Sequence, residues 1–342
     1  MNEPKVTDLD YINFLVAAPR VVSCAEGARV QPEGPRRAAH DALNRLLHRR
    51  EPDPTPLWRE AALLVDRTCG LLIIDDTTLD KPYARQIALV RRHWSGKHRH
   101  VVAGINLVTL VWSDDTHAVP CDYRLFDAPN DRLTKNDHFR TMLQTAKERG
   151  FTPAYVCFDS WYSSLANLKL IRALGWHWLT RLKANRLVNP DGNGNRPVAD
   201  CAMRNGGSQV HLKGYGFILV FRIDTPDGDT EYWATSDLLL TMQQRETTAR
   251  RIWTIETYHR DIKQFCGVER CMVRSARAQR NHIGWALRAY LRLIWHELET
   301  GTTRFMTKMA IIRPAIQAFL TDPSHVLRGF PQARMAHKRA TA

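Results

Sequence analysis

Three acidic positions in this chain have the residue types and settings for metal chemistry. Asp75 and Asp76 follow the apolar run LLII at 71–74, and Asp159 follows a second run, AYVCF, at 154–158. Glu256 lies far downstream in IWTIETYHRDIKQF, at 252–265. Apolar runs without alternation suit strands covered on both faces, so both read as central strands of an α/β sheet. An acid directly after such a strand emerges at the sheet edge, where open α/β sheets bind their ligands. From these residues alone, an Asp-Asp-Thr-Thr turn that caps the next element reads equally well. Two strand-end aspartates and a helical glutamate together form an oxygen-only donor set. Such a set suits a hard divalent cation like Mg²⁺, which keeps waters for exchange with substrate.

At 3.6 residues per turn, Trp253, Glu256, Arg260 and Lys263 share one helix face. A carboxylate flanked by two cations there could bind metal while Arg260 and Lys263 steady phosphates. The plain alternative is a surface Glu–Arg pair contributing about a few tenths of a kcal/mol.

Charge points to the partner. The 342 residues carry 49 Lys+Arg against 35 Asp+Glu, a net +14, which favours a polyanion and nucleic acid first among them. From 270 to the end, 13 Lys+Arg face 3 Asp+Glu. The segment RRHWSGKHRH (91–100) holds seven basic or His residues in ten, so Arg92 and Lys97 are candidate phosphate contacts in a loop. No apolar run approaches the ~20 residues of a membrane span. The N-terminus has no signal-peptide pattern, and cytoplasmic residence is expected. Seven cysteines without a CxxC pair argue for reduced thiols, and Cys266, Cys271 and His282 match no common zinc spacing.

The surrounding elements must position the acids. Residues 1–70 read as a helical, DNA-binding region: TDLDYINFLVAA with Thr7 as N-cap, a break at EGARVQPEGP, then RRAAHDALNRLLHRR and TPLWREAALLVDRTC. The middle helix sets Leu43, Leu46 and Leu47 against Arg36, Arg37, His40, Asn44 and Arg45. That basic side suits a helix-turn-helix variant, and equally a solvated surface. Over 71–160 the strands IALVRRHW, VVAGINLVTLVW and DDTHAVPCDYRLF, with SDDT as a hairpin turn, precede a helix and the Asp159 strand. That order predicts a ribonuclease-H-like α/β fold, a mixed sheet with helices on its faces. Residues 161–245 read as a helix and strand followed by a β-rich insertion, with Lys183, Asn185 and Arg186 as candidate DNA contacts. Residues 246–320 supply the glutamate helix and further helices, and 321–342 a basic tail.

With these motifs assembled, the chain resembles the DDE insertion-sequence transposases of the branch whose third motif reads Trp-x-Ile-Glu with a Lys seven residues later. The matching segments are DDTTLDKPY (75–83), FDSWYSS (158–164), WTIETYHRDIK (253–263) and GVERCMVRS (267–275). The resemblance implies Asp76, Asp159 and Glu256 as catalytic metal ligands. Asp76 is preferred because the family's acid stands just before Thr-Thr, and strand alternation lets one of the two face the site. If Asp75 points inward, the assignment moves by one residue. The resemblance further implies two Mg²⁺ or Mn²⁺ ions, hydrolysis at transposon ends, strand transfer into target duplex DNA, and a homodimer on DNA. The family's Tyr and Arg, seven and four positions before the Glu, are replaced here by Ala249 and Ile252. Arg250 and Arg251 lie beside the second of these, which makes Arg251 a candidate phosphate contact. A nuclease of the same fold without strand transfer, and a silent transposase-derived DNA-binding protein, are the alternatives.

Overall fold

The computed structural model describes residues 5–34, 37–95 and 99–321, and the predicted contact Lys97, Arg36 of the expected basic helix side and residues 322–342 of the basic tail lie outside them. Four helices come first: α1 (Asp8–Ala17), α2 (Cys24–Arg29), α3 (His40–Arg49) and α4 (Thr55–Ala61). Thr7 closes a capping box with Asp10, which fixes where α1 begins. Strands β1 (Leu71–Asp80), β2 (Arg91–Ser95), β3 (His100–Ser113) and β4 (Ala118–Leu125) follow, then α5 (Ala128–Asp131), α6 (Lys135–Glu148), β5 (Tyr155–Phe158) and α7 (Leu165–Ala173). Next come β6 (Trp178–Leu182), β7 (Leu187–Asn189), β8 (Arg196–Pro197), β9 (Ser208–Leu212), β10 (Gly216–Asp224) and β11 (Thr230–Thr235). Helices α8 (Met242–Ile252), α9 (Thr254–Gln264), α10 (Ala276–Thr300) and α11 (Arg304–Thr321) complete the described chain.

All the strands join one mixed eleven-stranded sheet in the order β2-β3-β1-β5-β6-β11-β10-β9-β7-β8, with β4 also on β3. β1 runs antiparallel to β3 and parallel to β5, and β5 runs parallel to β6. The strands between α7 and α8 extend the core sheet through the β11–β6 pairing. Four consecutive buried residues, Leu71 to Ile74, confirm a strand covered on both faces. α9 covers one face, where the Tyr258 hydroxyl meets Thr109 Oγ1 at 3.4 Å. α6 covers the other, where Phe139 packs edge-on against Phe158 and stacks on Tyr162.

α10 ties the N-terminal helices to the core. The Asn281 amide donates to the Leu47 and Arg50 carbonyls, each at 2.8 Å, closing the end of α3. Buried His282, its pKa driven down to about 3 chiefly by burial, sits between the Tyr11 hydroxyl and the Gly267 carbonyl. The carbonyl can only accept, so Nε2 carries the proton and Nδ1 accepts from Tyr11.

Several expected boundaries moved. α2 runs into the first residues of the predicted break because Ser23 caps it, accepting from the Glu26 N–H. The predicted strand over IALV is a loop: Leu89 has φ +72°, and the Ala88 N–H donates to the Arg274 carbonyl. The second predicted helix starts at His40 and the third stops at Ala61.

The β1–β3 pairing leaves no room for side-chain bulk at Gly104. A Cβ there would lie 2.5 Å from Thr78 Cγ2 and 2.7 Å from the Leu79 carbonyl oxygen. Gly104→Ala is expected to cost about 1–3 kcal/mol by overpacking, read as a lower urea midpoint at unchanged m-value.

Candidate active site

β5 ends at Phe158, opposite Ile74, while β1 continues six residues to Asp80 paired with β3 alone. The uncovered edge of β1 opens a cleft of about 760 Å³ lined by Asp75, Asp76, Asp159, Glu256, Arg260 and Arg270, among others. Alternation sends the two adjacent aspartates to opposite faces. Asp75 pairs with Thr109, on the face covered by α9, and Asp76 shares the face of Asn106 beneath α6. Yet both border the cleft, contrary to the expectation that alternation would admit one. The reason is the bare strand edge, open to both faces once β5 has stopped.

The environments of the two differ. Asp76 Oδ2 accepts from Asn106 Nδ2 at 2.7 Å and Lys135 Nζ at 2.8 Å, while Oδ1 accepts from the Tyr162 hydroxyl at 2.7 Å. Burial works to raise its pKa, but the Lys135 ammonium and these donors outweigh it and hold the carboxyl below its usual range. Asp75 has no cation. Its Oδ1 accepts from the Asp76 N–H at 2.8 Å, and burial followed by the charges of Asp76, Asp159 and Glu256 pushes its pKa well up. Asp159 caps the turn after β5, with Oδ1 accepting from the Trp161 N–H at 2.9 Å. Burial is the main cause of its raised pKa, and Asp76 adds to it. Glu256 is exposed on the first turn of α9.

Donor chemistry provides the test for a divalent ion. Asp75, Asp159 and Glu256 each keep at least one oxygen that no donor among the described residues reaches. The free ligands are all oxygens, and their mutual repulsion is of the kind a cation relieves, so the set fits a hard ion. Among the described residues, no three His, Cys, Asp or Glu groups are gathered closely enough to hold a metal by themselves. Mg²⁺ commonly takes one or two carboxylates and completes its shell from water and phosphate.

The predicted cations divide. Arg260 lines the cleft with its side chain 59% exposed. Lys263 lines it too, but its ammonium donates to the Thr78 carbonyl at 2.8 Å and stands 3.9 Å from Glu269. Lys183 and Arg186 line a separate cavity beside the insertion. Arg45 pairs with Asp41 on the surface of α3, Arg251 pairs with Asp115, and Arg92 is exposed on β2. Arg270, Trp94 and buried His259 line the cleft without having been singled out. Arg270 lies inside the GVERCMVRS motif, Tyr162 inside FDSWYSS and Asn106 inside the expected strand VVAGINLVTLVW, whereas Lys135 carries no such signal.

The family model described as Transposase DDE domain matches residues 69–292, more than half of the chain. The chain belongs to this transposase family. It is accordingly a DNA-transposition enzyme of a family that uses divalent metal ions. Among solved structures, the piggyBac transposase synaptic complex with hairpin DNA matches 100% of this chain and 76% of that one, at 10% identity and a TM-score of 0.52, which shows a shared fold. The Drosophila P element transposase strand transfer complex matches 51% of this chain and 37% of that one, at 13% identity and a TM-score of 0.27. The Mos1 strand transfer complex matches 52% and 58%, at 10% identity and a TM-score of 0.20. No curated protein sequence matches the chain. No helix among the described residues is long and apolar enough to cross a membrane.

The Asp75 environment has a stability consequence. A carboxyl whose folded pKa is raised above its unfolded value of about 3.9 supports folding below that pH and loses the contribution as pH rises through the folded pKa. Asp75→Asn keeps the acceptor for the Asp76 N–H and removes the repelled charge. In metal-free buffer at pH 7.5 it is expected to raise the unfolding free energy, because the buried, repelled charge is gone. The gain should vanish near pH 3, and urea denaturation at the two pH values measures it.

Proposed function

We propose that the cleft is the phosphoryl-transfer site of a DNA transposase and that Asp75, Asp159 and Glu256 hold a pair of Mg²⁺ or Mn²⁺ ions there. The supporting observation is that these three carboxylates open unclaimed oxygens into one cleft, whereas every oxygen of Asp76 is already taken. The first ligand thereby moves from Asp76 to Asp75, and Asp76 becomes a positioning acid that binds Lys135 and Tyr162 to the strand. When bound, the ions supply an activated oxygen nucleophile and neutralise charge on the attacking and leaving oxygens.

The protein's own groups do the remaining work. Arg260 and Arg270 border the same cleft and present cations to the phosphates flanking the reacting bond. Water hydrolyses one phosphodiester at each element end, leaving a 3′-OH and a 5′-phosphate. That hydroxyl then displaces the 3′-oxygen of a target phosphodiester in the same cleft, with no covalent enzyme intermediate. Two ends must be joined in one event, so a homodimer on duplex DNA is the working assembly.

A labelled duplex carrying the element's end, incubated with Mg²⁺ or Mn²⁺ and a target plasmid, tests the reading. Wild type is expected to nick the end and join it to the target. Asp75→Asn, Asp159→Asn and Glu256→Gln should lose about 10²–10³-fold or more, and Asp76→Asn less. Cutting without joining would favour a nuclease of the same fold, and binding without cutting a silent derivative. Abolished cleavage in Asp76→Asn with cleavage retained in Asp75→Asn would return the first-ligand role to Asp76.

A further inference from the structure

A second cavity, of about 360 Å³, opens beside the insertion rather than over the carboxylates. Ser163 and Leu165 at the start of α7 form one wall. Lys183, Asn185 and Arg186, from the turn between β6 and β7, form another, and Lys213 reaches in from the β9–β10 turn. No carboxylate lines it, and among the described residues none of the three cations has an acid partner.

Arg186 is the informative member. Arg288 and Arg304, also half-buried, are matched by acids, the first by Asp8 and Glu60 and the second by Asp261 and Glu297, and half-buried Arg149 donates to the Cys121 carbonyl over the Trp58 ring. Arg186 is comparably sunk, and burial alone pulls its pKa down, with no acid opposing it. A guanidinium held partly out of water without a counter-charge is unfavourable until an anion completes it.

The fold also builds the wall that holds Lys213. Gly214 has φ +75°, and a Cβ there would come within 2.9 Å of Leu165 Cδ2, so glycine is what lets this turn close on α7. Topology then relates the cavity to the carboxylates. β5 and β6 are parallel neighbours, so their carboxyl ends share one sheet edge; Asp159 follows the first and Lys183 the second. Strands so paired lie about 4.8 Å apart. A small, cation-lined and hydroxyl-edged cavity without an aromatic wall suits a phosphodiester group and offers nothing to read a base.

We propose that this cavity is a backbone-phosphate subsite, lying beside the metal cleft across the β5–β6 edge, that holds the DNA being cut irrespective of its sequence. The proposal rests on the DNA-transposition reading above. Titration of two labelled duplexes, one carrying the element's end and one scrambled, at salt from about 50 to 200 mM tests it in the full chain without metal. Lys183 and Lys213 are exposed, so the Lys183→Ala/Lys213→Ala double variant should keep the wild-type melting temperature. It is expected to bind both duplexes more weakly by the same factor, with the slope of log affinity against log salt shallower by about 2, near 0.9 per lost contact. Arg186→Gln should lower the slope by about one contact. A double variant with the wild-type slope would overturn the subsite, as would a loss confined to the end duplex. Wild type that binds neither duplex would overturn the DNA reading and the subsite with it.

Discussion

Four carboxylates line one cleft where β1 outruns β5, and the repulsion that Asp76, Asp159 and Glu256 exert on Asp75 is the constraint around which the catalytic region is arranged. One is neutralised internally: Asp76 is held by Lys135, Asn106 and Tyr162, so that face of β1 carries no unmet charge. Asp75, Asp159 and Glu256 are left without cations of their own within hydrogen-bonding reach. The buried start of that strand, Leu71 to Ile74, does not need such charge for folding. A locally unfavourable cluster of this kind is what function, rather than stability, retains.

The repulsion would be relieved by letting the glutamate helix drift, and the fold resists that from several sides. Lys263 grips the Thr78 carbonyl, joining α9 to β1. Buried Lys81, its pKa drawn down to about 8 by burial, donates to the Glu269 and Cys271 carbonyls at 2.5 Å each, fastening the segment after α9 to the far end of β1. His282 on α10 takes the Gly267 carbonyl in the same segment. The lysine that the motif suggested for phosphate contact therefore works, in the protein alone, as a bolt between strand and helix. Under the proposed function, contact with phosphate falls to Arg260 and Arg270, which border the cleft.

How much of this was legible follows from the range of each interaction. The strand ending in Asp75 and Asp76, the hairpin at 113–116 and the capped α1 are governed by local periodicity and turn chemistry, and they read directly from the residues. The sheet's continuity through β6–β11 was not readable, because register between distant strands leaves no local trace. The choice between Asp75 and Asp76 also lay beyond the sequence. Alternation separates their faces, but the early stop of β5 and the Lys135 ammonium, fifty-nine residues from Asp76, decide which one keeps free oxygens. The loop at 87–90 misled because its apolar residues pack as a strand would while Leu89 adopts a left-handed turn.

The central claim is that Asp75, and not its fully bonded neighbour, opens the carboxylate cluster to a divalent ion. Titration of the protein with Mn²⁺, followed by electron paramagnetic resonance of the free ion, tests it most directly when wild type, Asp75→Asn and Asp76→Asn are compared. The account predicts saturable binding by wild type, lost in Asp75→Asn and largely kept in Asp76→Asn. Wild-type binding by Asp75→Asn, with loss in Asp76→Asn, would contradict it.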